Sequence, residues 1–265
     1  MTDWIHEIPR WLSAVALLGL FVGIAVFGLA STRGWMRRRG VHALIDNNVV
    51  GWMFSAMLAI YAITIGLTAV ACWSNAVAAS NVASLEAAEI AAVYRDVDAY
   101  PEPVRSELQS RLRAYLQDVI DSAWPAHRRG QVAHSGTVKL NDFQHVLYAF
   151  EPTTDAQKIV HAEALGAFNR LVETRRQRLE AVRREIPGTL WSVVLFGAAL
   201  AISASWVFTL ESIQLHAVMS GLLAAMIGLL VFFIAVTDRP FHGANGMAPD
   251  AYRLVLHDLM DGAEP

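Results

Sequence analysis

Charged positions fall along the chain in an uneven pattern that sets out its architecture. Four stretches carry no Asp, Glu, Lys or Arg at all: Trp11 to Thr32 (22 residues), Asn47 to Leu85 (39), Ile186 to Leu210 (25) and Ser212 to Thr237 (26). A helix crossing a hydrocarbon core of ~30 Å needs about 20 apolar residues, so each stretch is long enough to hold one. The pattern predicts four membrane spans, about Trp11 to Ala30, Val50 to Trp73, Leu190 to Leu210 and Ile213 to Val236. Trp11, Trp35, Trp52, Trp73, Trp191 and Trp206 fall near their ends, the depth at which tryptophan anchors to headgroups. Asp3 and Glu7 beside a single Arg10, ahead of an apolar run longer than a signal peptide's, predict an uncleaved first span.

The charge missing from the spans is concentrated between the second and third. Ser74 to Glu185 holds 14 of the 21 basic and 15 of the 24 acidic residues, the composition of a solvated domain. Four units follow: residues 1–73 with the first two spans, 74–185 as a helical extramembrane domain, 186–237 with the last two spans, and 238–265 as a C-terminal tail. Within 74–185, Val77 to Val97 has no Gly or Pro and reads as helix. Val104, Leu108, Leu112, Tyr115, Leu116 and Ile120 recur at helical spacing in a helix predicted from Pro103 to Asp121, with Trp124-Pro125 as its stop. A loop through Ala126 to Gly136, a short helix from Asn141 to Phe150, and a long helix from Asp155 as N-cap to Glu185 complete the domain. No strand-like alternation of useful length occurs, so the expected class is all-α.

Overall composition agrees: of 265 residues 55% are apolar and only 17% charged, against the roughly 25% of soluble domains. A net charge of −3 excludes nucleic acid as a partner, because no basic excess faces a phosphate backbone. The single cysteine, Cys72, rules out a disulfide framework or a CxxC metal site. His127, His134, His145 and His161 show no metal-ligand spacing and read as surface or helix-face residues. With no phosphate-binding glycine loop or nucleophile motif either, neither an enzyme nor a cofactor is expected.

Polar groups inside the spans narrow the function further. Phe54, Met57, Tyr61, Thr64 and Thr68 share one face of the second span, and Asn47 and Asn48 stand at its start. This is the pattern of a helix lining a water-filled pathway with apolar constrictions, Asn47 and Asn48 forming its mouth. The same pattern also arises when hydroxyls bond their own backbone and bulky residues pack on a neighbouring helix. The lack of charge in any span excludes a proton relay or a voltage sensor built on intramembrane charge, and is compatible with a passive pathway. Past the second span, Glu86 and Glu89 lie at i,i+3 on one face, as a cation site or as salt-bridge partners between helices. Arg170, Arg175, Arg176, Arg178, Arg183 and Arg184 make the last part of the long helix basic, either as a solvated face or as a collar that meets anionic lipid or lines an anion path. Asp238 and Arg239 precede Pro240, which stops the fourth span. An even number of spans separates them from Glu86 and Glu89, so pairing among these four residues is expected to couple the domain to the spans.

In order along the chain, Glu86-Ala87, Trp124-Pro125, Arg175-x-x-Arg178-Leu179, Ile186-Pro187-x-x-Leu190-Trp191 and Asp238-Arg239-Pro240-Phe241-x-Gly243 resemble the bacterial bestrophin-like membrane protein family over nearly the whole chain. The resemblance implies two spans, an inserted helical domain and two further spans, assembled as a homo-oligomer, a pentamer by analogy with the bestrophin anion channels. It implies a passive ion channel of the bacterial inner membrane, selective for anions rather than cations. The implied partners are the lipid bilayer, small inorganic ions and further copies of the chain. The competing class is a non-conducting scaffold or sensor whose helical domain binds a partner. No acidic cluster like the calcium clasp of animal bestrophins is present. The resemblance places the termini and the helical domain in the cytoplasm, whereas Arg33, Arg37, Arg38 and Arg39 between the first two spans favour the opposite orientation under the positive-inside rule.

Overall fold

The computed structural model describes residues 9–40, 45–243 and 246–262, and every regular element among them is helical. Asp3 and Glu7 lie outside the described residues. The helices are α1 (Arg10–Arg39), α2 (Asn47–Val97), α3 (Val104–Asp118), α4 (Trp124–Arg128), α5 (Ser135–Ala149), α6 (Asp155–Arg183), α7 (Gly188–Ser205), α8 (Ile213–Thr237) and α9 (Asp250–Leu254). π-helical segments follow α3 at Val119–Ala123 and α9 at Val255–Asp261. Four helices, α1, α2, α7 and α8, are long and apolar enough to cross a membrane.

The chain forms two compact units. One comprises residues up to 75 together with 185–238, and the other comprises 76–184 together with 239 onward. In the first unit, Leu17 and Ala25 of α1, Ile65 and Cys72 of α2, Val194 and Ala198 of α7, and Ile227 and Val231 of α8 form one apolar core. Lipid offers no hydrophobic drive to join helices, so small residues that admit close contact set the packing. At Gly28 a Cβ would overlap the Trp206 indole, and at Gly197 it would overlap the Tyr61 ring. The side chain of Asn47 accepts from the Thr209 backbone N–H (2.9 Å) and donates to the Thr209 carbonyl (2.7 Å), while Arg33 donates to the Leu210 carbonyl (2.8 Å).

These contacts explain why α7 stops at Ser205 rather than continuing to Leu210. The backbone of Thr209 and Leu210 is held by side chains of α2 and α1 instead of by a helix. Arg37, Arg38 and Arg39 are the last turn of α1 and not a loop, where cations are favourable against the helix dipole.

In the second unit, α2 beyond residue 75 packs with α3, α5, α6 and the segment after α8 around Ile90, Leu112, Phe143, Phe168 and Leu171. Three sequence expectations are corrected here. Trp124-Pro125 does not end a helix, because the π-helical turn at Val119–Ala123 already disrupts the regular ladder and Pro125 enters at the first turn of α4, where a missing N–H costs little. Helix α5 starts at Ser135, six residues before Asn141. The N-cap of α6 is Thr154 and not Asp155: its hydroxyl accepts from the Gln157 N–H (3.2 Å) and the Gln157 side chain accepts from the Thr154 N–H (3.2 Å), a capping box. The expected C-terminal tail is no loose appendage, since Phe241, Tyr252 and Met260 are buried in the core of this unit.

Candidate functional site

Two features carry chemistry: the membrane part of α2 and a buried polar node in the second unit. On α2, the proposed lining stripe lies largely against the subunit's own helices. Tyr61 is 8% exposed, and its hydroxyl donates to the Val194 carbonyl (3.2 Å). Thr68 is 4% exposed and donates to the Thr64 carbonyl (2.8 Å), while Thr64 donates to the Ile60 carbonyl (2.9 Å). Phe54 packs edge-on against Phe208 (5.4 Å between centroids), and Phe54, Met57 and Thr64 are half-buried.

Tyr61 and Thr68 therefore present little surface beyond their own helices, which goes against their expected lining role. Their hydroxyls are satisfied within the subunit, as membrane helices require of polar groups. Asn47 is engaged with Thr209 as described above, and the Asn48 backbone N–H is held by the Asp46 carboxylate (2.8 Å).

The adjoining face of α2 is open. Met53, Ala56, Ile60, Ile63, Leu67 and Val70 recur at alternating spacings of three and four, and all are exposed; Ile60 is 70% and Leu67 67% accessible. The same register continues along the helix through Ser74, Val77, Asn81, Ser84 and Ala88, also exposed, where side chains become small and polar but remain uncharged.

The buried node centres on Glu86. Its carboxylate is 0% exposed and receives four hydrogen bonds: from Arg178 Nε (2.5 Å) and Nη2 (3.2 Å), from the Tyr115 hydroxyl (2.8 Å) and from the Tyr252 hydroxyl (3.1 Å). Arg178 is 1% exposed and lies over the Trp124 and Tyr252 rings, 5.8 and 5.9 Å from their centroids. Its Nη1 donates to His127 Nε2, and His127 Nδ1 donates to the Gln131 carbonyl (3.0 Å). These partners fix the imidazole as the neutral Nδ1–H tautomer.

Burial first, and then the Arg178 charge, lower the His127 pKa from 6.5 to about 4. Burial works against the Arg178 charge, but the Glu86 carboxylate and the flanking Tyr252 and Tyr115 outweigh it and hold the guanidinium pKa above its ordinary value. Burial, reinforced by the Glu86 charge, raises the Tyr115 and Tyr252 hydroxyls well above theirs, so both remain proton donors to the carboxylate. His127 is thus not the surface residue its spacing suggested.

The expected tie between span four and the acidic pair takes a different form. Glu86 pairs with Arg178, and Glu89 pairs with Arg170 (3.3 Å), so Arg239 is the partner of neither. Asp238 accepts from the Ile186 backbone N–H (2.7 Å) and from Trp191 Nε1 (3.2 Å), fastening the end of α8 to the start of α7 within one unit. The remaining arginines of α6 are partly spoken for, Arg175 by Thr137 (2.8 Å) and Arg176 by Glu180 (3.4 Å). His161 Nδ1 lies 2.7 Å from the Tyr100 hydroxyl. Among the described residues no group of three or more His, Cys, Asp or Glu could hold a metal ion.

An all-helical chain with four apolar helices of membrane-crossing length and a second, charge-rich helical unit defines a class of polytopic membrane protein. A family model, the Bestrophin-like domain, matches residues 19–252, and the chain belongs to that family. No curated protein gives a significant match. Among solved structures the fold is similar to two point variants of a bacterial bestrophin homologue from Klebsiella pneumoniae. One is 15% identical, with 95% of this chain and 99% of the other covered at a TM-score of 0.69. The second is 14% identical, with coverages of 94% and 99% and a TM-score of 0.61. A point variant of a structure described as a membrane protein is 15% identical over 94% of this chain and 97% of its own, with a TM-score of 0.67.

Proposed function

We propose that the protein is a homo-oligomeric passive ion channel of the bacterial inner membrane, selective for anions, with α2 from each subunit lining the shared pathway. The proposal includes a 2+2 arrangement of spans, α1 and α2 before and α7 and α8 after, with the charge-rich helical unit on the cytoplasmic side. The observation that carries it is the open face of α2. Met53, Ile60, Ile63, Leu67 and Val70 find no partner in their own subunit, and a four-helix subunit without intramembrane charge encloses a pathway most simply by sharing it around a symmetry axis.

An apolar constriction through the membrane followed by Ser74, Asn81 and Ser84 suits partly dehydrated ions, which meet no fixed charge of either sign along this stripe. Preference for anions and a pentameric ring follow the bestrophins, the anion channels for which the family is named.

Flux through liposomes containing the purified protein tests the reading. Wild type is expected to pass chloride, and Ile63→Ser or Leu67→Ser is expected to change the rate several-fold by altering the constriction. Silent vesicles across pH and lipid composition, or a monomer by native mass spectrometry in mild detergent, would overturn the channel in favour of a scaffold.

A further inference from the structure

Just beyond α8 the chain folds into a tight turn that is clipped to the end of α4. The His242 N–H donates to the Arg239 carbonyl (3.1 Å), the Met247 N–H to the Pro240 carbonyl (2.8 Å), and Trp124 Nε1 to the Met247 carbonyl (2.7 Å). Phe241 is buried against Trp124 and His127, with centroids 5.6 and 6.1 Å away. The Gly243 N–H donates to the Arg128 carbonyl (2.9 Å), and the His242 ring packs against Gly130, whose φ of +69° makes the reversal after α4.

Arg128 and Arg129, which lie in mid-sequence of the helical unit, are thereby brought beside Arg239, two residues past the last residue of α8. A turn closed by an i to i+3 hydrogen bond spans under about 7 Å, so Arg128 lies within roughly 20 Å of Arg239.

Most arginines of the helical unit already have carboxylate partners: Arg105, Arg111, Arg113, Arg170, Arg176 and Arg178. Among the described residues no carboxylate pairs with Arg128 or Arg129, and the Arg128 Nε–H is buried without an acceptor. Arg183 and Arg184, just ahead of α7, also have no carboxylate partner there; Arg95, at the far end of α2, and Arg175, held by Thr137 in mid-α6, are the other two arginines of the unit without one. Arg128, Arg129, Arg183 and Arg184 are thus the arginines without a carboxylate partner that the chain brings near Arg239 or places just ahead of α7. Guanidinium groups without a carboxylate partner, Arg129 exposed and Arg128 half-buried, suit the oxygens of a phosphate, and next to a span end the phosphate at hand is that of a lipid headgroup.

We propose that Arg128 and Arg129 form a binding site for the headgroup of an anionic phospholipid. The inference rests on α7 and α8 spanning a membrane, but not on the chain conducting ions.

Native mass spectrometry of the full chain, incubated in detergent with equal amounts of phosphatidylglycerol and phosphatidylcholine, tests it. Wild type is expected to retain phosphatidylglycerol several-fold in excess. The Arg128→Gln/Arg129→Gln variant is expected to lose that preference, and Arg128→Lys/Arg129→Lys to keep part of it, the charge being present without the fork. Arg129→Gln alone, at an exposed position, serves if the double variant does not fold. Equal retention of the two lipids by wild type, or a preference unaltered in the glutamine variants, would overturn the proposal. So would inorganic phosphate raising the thermal midpoint in phosphatidylcholine micelles as far as phosphatidylglycerol does, since the ligand would then be free phosphate. Retention is read without current, so a non-conducting protein leaves this test intact.

Discussion

Arg178 and Glu86, 92 residues apart in sequence, meet as an ion pair sealed from solvent inside the helical unit. Removing two charges from water costs several kcal/mol per ion, and the pair is tolerable because both partners are fully hydrogen-bonded. Removing one partner strands the other. Arg178→Met is therefore expected to cost about 3–5 kcal/mol, and Glu86→Leu a similar amount. The Arg178→Met/Glu86→Leu double variant should be markedly less destabilised than the sum of the two. A double-mutant cycle on thermal unfolding in detergent checks this, and additive losses would show that the pair is not coupled.

His127 gives the same node an acid limit. Its folded pKa is about 4 against 6.5 in the open chain, so between those values the unfolded state binds more protons than the folded one. Stability is then complete above pH 6.5 and is lost as pH falls through this window, by up to about 3 kcal/mol. Unfolding midpoints recorded from pH 7.5 to 4 should fall, and His127→Gln should flatten that part of the profile. An identical slope in the variant would assign the acid sensitivity to other groups.

Much of the fold was legible because charge is so unevenly spent: uncharged runs marked the four apolar helices, and helical spacing marked α3 and α6. Glu86 could be singled out from sequence, but its partner could not, because register alone does not say which of the five arginines on α6 turns inward. A signal was available. Ala164, Ala167, Leu171, Thr174 and Arg178 continue one buried stripe at spacings of three and four, so Arg178 stands at an apolar position of that helix. Tyr252 was missed because nothing local distinguishes a tail from a segment that docks. The threonines of α2 misled for a physical reason: a hydroxyl that bonds the carbonyl four residues back looks, in sequence, the same as one that faces water.

That distinction gives a direct test on α2. Thr68→Val removes a hydroxyl whose hydrogen bond goes to its own helix in a buried position, and it preserves side-chain shape. Chloride flux should stay within about twofold of wild type, because a change of under ~0.5 kcal/mol in any barrier alters a rate by no more than that. A large change in ion selectivity in Thr68→Val would return the lining role to the face that includes Tyr61.

The junction of α7 and α8 is expected to depend on Asp238 and not on a charge pair between Glu86 and Arg239. Asp238→Ala leaves the Ile186 N–H and the Trp191 indole N–H without their acceptor, at about 1–3 kcal/mol for each donor left buried. Asp238→Asn keeps one acceptor oxygen and should lose less. A Glu86→Arg variant should be unfolded or poorly assembled, because it sets a second guanidinium against Arg178 in a site without solvent. Adding Arg239→Glu should not rescue it, since Arg239 is not the ionic partner of Glu86. Size-exclusion profiles of the four variants decide the matter: recovery of the assembled peak in the Glu86→Arg/Arg239→Glu protein would show that the two positions meet after all.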